Sequence, residues 1–187
     1  MTLGLIVAVV ATCAGCYRFT EETVSGEGSV KEIKITRHGK EVSEICVSVR
    51  EGVRLSSLVD LTMFEGTSAR MSLDEAQAKF GKPKETTMQP EMQVPVSLYT
   101  VAKGDLGFMK VPNEIGGENQ VWAFPKDQSP DATILDSSLR TQILTQAPAT
   151  YPVRVHILRD VGSGGVTLNL KSNRINYIIL GRRDGER

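Results

Sequence analysis

The chain has 187 residues, with 22 Lys and Arg balanced by 22 Asp and Glu, and it is 40% hydrophobic and 24% charged. That composition suits one globular domain with a proper core and excludes a disordered chain. With no net positive charge to neutralise phosphates, a protein that coats nucleic acid is excluded too.

Residues 1–16 carry no charge, and every charged side chain follows them. The run is too short to span a bilayer, which takes roughly 20 residues, and fits the apolar region of a secretory signal. Cys13-Ala14-Gly15-Cys16 resembles the end of a bacterial lipobox, commonest as Leu-Ala-Gly-Cys, with Cys13 in the leucine place. The resemblance implies that residues 1–15 are a signal peptide that is removed and that Cys16 becomes the acylated N-terminus. It further implies a lipoprotein of the cell envelope, anchored in the outer membrane and facing the periplasm where the organism has one. Val10-Ala11-Thr12-Cys13 is a poorer lipobox, because Thr12 is unusual before the cleavage point. A plain secretory signal or short anchor, and a buried core segment, are the other readings of the run. With Cys13 removed and Cys16 lipidated, Cys46 is the remaining thiol, and the apolar run Ile45-Cys46-Val47-Ser48-Val49 predicts its burial. Without lipid, a Cys16–Cys46 disulfide is the rival, in a soluble secreted domain.

Residues 16–28 comprise the lipidated cysteine and a stretch without helical or strand periodicity, read as a tether that ends at Gly26 and Gly28. Extended from Tyr17 to Gly28, it reaches about 40 Å at most. Residues 29–187 read as a single α+β domain. Val30 to Thr36 and Val42 to Arg50 form a hairpin around Arg37-His38-Gly39-Lys40. Leu55, Leu58, Val59 and Thr62 keep helical spacing and predict a first helix. A second begins at the capping box Ser72-Leu73-Asp74-Glu75, presents Leu73, Ala76 and Phe80, and stops at Gly81 and Pro83. Strands follow at Val96 to Val101, Leu106 to Val111 and Val121 to Phe124. Asp136 caps a third helix that runs to about Gln146, with Leu139 and Ile143 inward. Val153 to Leu158, Val166 to Lys171 and Arg174 to Leu180 close the chain as strands. Hairpins outnumber strand–helix–strand units, which predicts an α+β fold: a mostly antiparallel sheet with two or three short helices packed on one face.

The segment Met71-Ser72-Leu73-Asp74-Glu75-Ala76-Gln77-Ala78-Lys79-Phe80-Gly81-Lys82-Pro83 resembles a motif of the SmpA/OmlA type of small outer-membrane lipoprotein. Those proteins pack two helices on a three-stranded antiparallel sheet and serve the machine that assembles outer-membrane β-barrels. The resemblance covers these thirteen positions and implies an envelope domain.

Candidate chemistry is sparse. His38 sits in a turn and His156 in a strand, without metal-ligand spacing around either, and no metal or cofactor is expected. A Cys46–His38 pair across the first hairpin is the one nucleophile arrangement to consider, and the apolar neighbours of Cys46 argue against it. Gly162-Ser163-Gly164-Gly165 precedes a strand and lacks the Lys-Ser/Thr of a phosphate loop, so it reads as a turn. Arg182, Arg183 and Arg187 read as a solvated tail, with contact to anionic lipid as the alternative. Trp122 and Phe124 on one strand face are the candidate partner-binding residues. The sequence thus points to a non-enzymatic, lipid-anchored envelope protein. Its expected contacts are the membrane, through the N-terminal lipid, and another envelope component, expected to be a protein; no nucleic-acid partner is expected. The alternative is a periplasmic enzyme or inhibitor module with a loop-built site.

Overall fold

The computed structural model describes residues 19–89, 93–111, 117–128, 134–147, 152–158, 165–172 and 174–181. The signal peptide, Cys16, most of the Gly162–Gly165 turn and the arginines at 182, 183 and 187 lie outside the described residues.

The strands are β1 (Phe19–Ser25), β2 (Val30–His38), β3 (Glu41–Val49), β4 (Glu85–Gln89), β5 (Val94–Val101), β6 (Gly104–Lys110), β7 (Asn119–Pro125), β8 (Val153–Leu158), β9 (Gly165–Lys171) and β10 (Arg174–Leu180). They join in one sheet of order β1-β2-β3-β8-β9-β10-β7-β6-β5-β4. Three antiparallel meanders are therefore laid side by side. The first meets the last-made one through a parallel pair, Ile45 opposite Val155 and Val47 opposite Ile157. That last meander meets the second, β4 to β7, through antiparallel β10 and β7, with Ile179 opposite Trp122.

This architecture corrects the α+β expectation. Ten strands in a single mixed sheet dominate, and the described helices are only α1 (Leu73–Phe80) and α2 (Ser137–Gln146). The first expected helix is absent. Leu55–Ser57 and Thr62–Phe64 are single 3-10 turns, and between them Val59 bridges Leu135. Asp60 N–H donates to the Ile134 carbonyl, and the Asp60 carboxylate accepts from the Thr62 amide and hydroxyl. A side chain that satisfies the backbone locally competes with helix formation, and extended pairing at Val59 completes the break. The tether is also shorter than expected. Residues 19–25 pair in register with β2, from Phe19 opposite His38 to Ser25 opposite Glu32. Only Val24 of β1 packs against the core, so an edge strand wet on both faces shows no hydrophobic alternation.

The two α-helices follow their caps. Ser72 Oγ accepts from the Glu75 amide while Glu75 Oε2 accepts from the Ser72 amide, a complete capping box. Of the expected inward stripe, Ala76 is buried and Phe80 half-buried, whereas Leu73 is exposed. Asp136 Oδ1 accepts from the Ser138 and Leu139 amides, and Leu139 and Ile143 are buried.

Both helices and the 3-10 turns cover the same face of the sheet. Leu58, Val59, Met63, Phe64, Ala76, Leu139 and Ile143 meet Ile35, Ile45, Val47, Val155, Ile157, Leu168, Ile178, Leu106 and Phe108 in one cluster. Phe80, Tyr99 and Phe108 add an aromatic knot, Tyr99 edge-on to Phe108 at 5.4 Å. Alternation sends the intervening residues to the opposite face, which is helix-free among the described residues. A smaller cluster forms there, made of Val94, Val96, Met109 and Trp122 with Leu98, Phe124, Tyr177 and Ile179 packed against it. Gly107 lies beneath it, where a Cβ would come within 2.9 Å of the Phe124 ring.

Candidate functional site

The helix-free face carries a row of cross-strand neighbours that spans the whole sheet. From β1 to β4 it reads Thr23, Lys34, Cys46, His156, Thr167, Ile179, Trp122, Gly107, Leu98 and Glu85. From β1 to β9 the row is hydrogen-bonding or ionisable, and from β10 to β5 it is apolar. A cleft of about 410 Å³ opens at the seam. Trp122, Tyr177 and Ile179 line one side and Arg154, His156 and Thr167 the other, with Arg70, Glu118, Asn119 and Gln120 completing the wall.

The side chains of the cleft hold one another. His156 Nδ1 lies 2.9 Å from Thr167 Oγ1, and its Nε2 lies 2.7 Å from Glu44 Oε1. A carboxylate only accepts, so Nε2 carries the proton toward Glu44. In the neutral ring Nδ1 then accepts from the Thr167 hydroxyl, and in the protonated ring it donates. The Trp122 indole N–H donates to Gln120 Oε1 at 3.0 Å, which orients the Gln120 amide nitrogen away from the indole. The Trp122 and Tyr177 rings pack with centroids 4.6 Å apart at 32°. Asn119 Nδ2 donates to the Arg70 carbonyl. Arg70 Nη2 stands 3.7 Å from Glu118 Oε1, and its Nε and Nη2 have no hydrogen-bond acceptor among the described residues.

Glu44, His156 and Thr167 have the residue types of a nucleophile, a base and an orienting acid. The setting disfavours turnover. Thr167 lies inside the ladder between β8 and β10, whose pairings consume the neighbouring backbone N–H groups that would otherwise gather around an oxyanion. What the arrangement offers is a fixed set of donors and acceptors beside two rings.

The cleft takes in some expected residues and leaves others out. Trp122 lines it but is buried, and Phe124, 6.2 Å away ring to ring, is half-buried, so the two do not form an exposed patch. Cys46, expected in the core, is half-exposed on the open face because Ile45 and Val47 take the inward positions. Partial burial, then the Glu44 charge, push its thiol pKa up against the opposing pull of Lys34, which disfavours a thiolate. His38 stacks on Phe19 at 5.1 Å and pairs in register with Glu41, while Cys46 pairs with Lys34, so the Cys46–His38 pair is not brought together. His156, read as an isolated sheet histidine, is instead the centre of the polar half. The available signal was the alternation of Arg154 and His156, and of Thr167 and Asn169, between aliphatic core residues.

A second cavity, about 550 Å³, lies beside Met63, Pro125, Ile134 and Ile178, with Asp60 and Lys103 among its lining. Those two charges are already ion-paired with each other.

Comparison with protein-family models, curated proteins and solved structures finds no match to this chain.

Proposed function

We propose that this chain is a lipid-anchored cell-envelope protein that acts by binding another envelope component and not by catalysis. Ala14-Gly15-Cys16 after an uncharged apolar run supports the anchor, with Cys16 as the acylated residue. The observation that carries the binding role is the cleft at the seam of the open face, where aromatic rings and mutually fixed polar groups converge without helices to cover them. Confinement to a membrane surface raises the effective concentration of a neighbouring component, so a modest affinity suffices. The component meets the open face at the cleft; Trp122 and Phe124 contribute as its apolar backing and not as a protruding patch.

The test is labelling of the full chain with palmitate in an exporting bacterial host, followed by membrane fractionation. Wild type should take up label and sediment with membranes, and Cys16→Ser should do neither. Equal absence of label from both proteins would overturn the anchor.

A further inference from the structure

We infer that the component taken up by the cleft is a saccharide, bound with the C–H face of one sugar ring against the Tyr177 ring, which the buried Trp122 backs. The inference rests on the binding role proposed above and names the ligand class.

A pyranose presents two different surfaces, an apolar face of C–H groups and a rim of hydroxyls that both donate and accept. The cleft presents the complement. Its apolar side is the half-buried Tyr177 ring beside Ile179, held flat by packing on the buried Trp122, and a flat ring face suits C–H groups. Its polar side offers the Thr167 hydroxyl oxygen as an acceptor and the Gln120 amide nitrogen as a donor, both on short or planar side chains, with His156, engaged at both ring nitrogens, holding Thr167 in place. These groups are fixed before a ligand arrives: His156 by Glu44 and Thr167, and Gln120 by the Trp122 indole. A rigid polar wall lowers the ordering cost of binding a ligand rich in hydroxyls.

Charge and shape narrow the class. Arg70 faces Glu118, and Arg154 is the register partner of Glu44, so each guanidinium has a carboxylate close by. A nearly balanced site does not select polyphosphate or nucleic acid, which need an excess of cations. A volume of about 410 Å³ matches small-molecule sites of about 300–1,000 Å³, whereas a protein partner needs a broad patch of about 800 Å² on each side.

Trp122 is the only tryptophan in the chain, so intrinsic emission reports on this wall directly. The experiment titrates the purified, detergent-solubilised full chain with chitotriose, cellotriose and maltotriose, and scans a wider glycan array. At least one saccharide should give a saturable change in tryptophan emission. Tyr177→Ala should weaken that saccharide at least tenfold, and Thr167→Val should weaken it severalfold. Neither side chain is fully buried, so both variants should fold with only a small drop in melting temperature, and circular dichroism checks this. Asp136→Ala, far from the cleft, should bind as wild type does.

Silence across the titrations and the array overturns the saccharide assignment, as does undiminished binding by a folded Tyr177→Ala. Crosslinking from Thr167→Cys that captures a protein while all glycans stay silent replaces the saccharide by a protein partner. The palmitate experiment is scored separately, so failure of the ligand assignment leaves the anchor standing, and the reverse holds.

Discussion

The two faces of the sheet are built from different chemistry. The covered face is a continuous layer of Ile, Val and Leu from all three meanders, closed by Leu58, Phe64, Ala76, Leu139 and Ile143. The open face uses larger and more polar residues on the same strands: Trp122 beside Val121, Tyr177 next to Ile178, His156 between Val155 and Ile157. Folding demands the first layer, because burial of aliphatic surface is what offsets chain entropy. It does not demand a histidine held at both ring nitrogens, nor a tryptophan whose indole orients a glutamine. The difference teaches that stability and recognition are divided between the faces, and substitutions should separate them.

The largest effect should come from the covered face. Phe108→Ala removes a fully buried ring from the aromatic knot and should cost about 3–5 kcal/mol in urea unfolding. A loss under about 1 kcal/mol would show that the knot is not part of the cooperative core. At the edge of that face, Asp136→Ala removes the acceptor of two amide N–H groups at the start of α2 and should cost about 1 kcal/mol, read as a lower melting temperature.

Acid should act through Asp60. Burial pushes its carboxyl pKa up, but hydrogen bonds from Lys103 and Thr62 outweigh that and hold the pKa below the ordinary aspartate value. A depressed carboxyl stabilises the fold above its unfolded pKa and loses that contribution as the pH falls through the folded one. Wild type should therefore exceed Asp60→Asn in stability near neutrality, with the gap closing below the ordinary aspartate range; a gap independent of pH would exclude this ion pair. The smallest stability change should come from the open face. Thr167→Val keeps the shape of the side chain and loses one hydrogen bond to His156, so unfolding should shift by no more than about 0.5–1 kcal/mol. A larger loss would mean that the open face also carries the fold.

Much of the local structure was legible in the sequence because its causes are local. The capping box at Ser72, the aspartate cap at Asp136 and the closing strands Val153 to Leu180 depend on neighbours a few positions away. The sheet as a whole was not. Its decisive contact pairs Cys46 with His156 in parallel, across more than a hundred residues, and no periodicity within either strand specifies that partner. β4, Glu85-Thr86-Thr87-Met88-Gln89, escaped for the same reason as β1: an edge strand that buries only Gln89 has no apolar face to announce it. The site suffered doubly. Glu44, His156 and Thr167 each look like ordinary outward residues until the strand order brings them together, and Trp122 and Phe124 gave only the apolar half.

The early start of β1 changes what a lipid on Cys16 would do. Only Tyr17 and Arg18 separate that cysteine from Phe19, a span of about 11 Å at full extension. The acyl chains would then grip the rim of a stiff plate and not the end of a leash. With strands about 4.8 Å apart, the seam at β9 and β10 lies roughly 20–25 Å from that rim, a distance set by hydrogen-bonded backbone. The sheet would work as a spacer: the greatest height at which it could hold the cleft above the bilayer would be fixed by strand count.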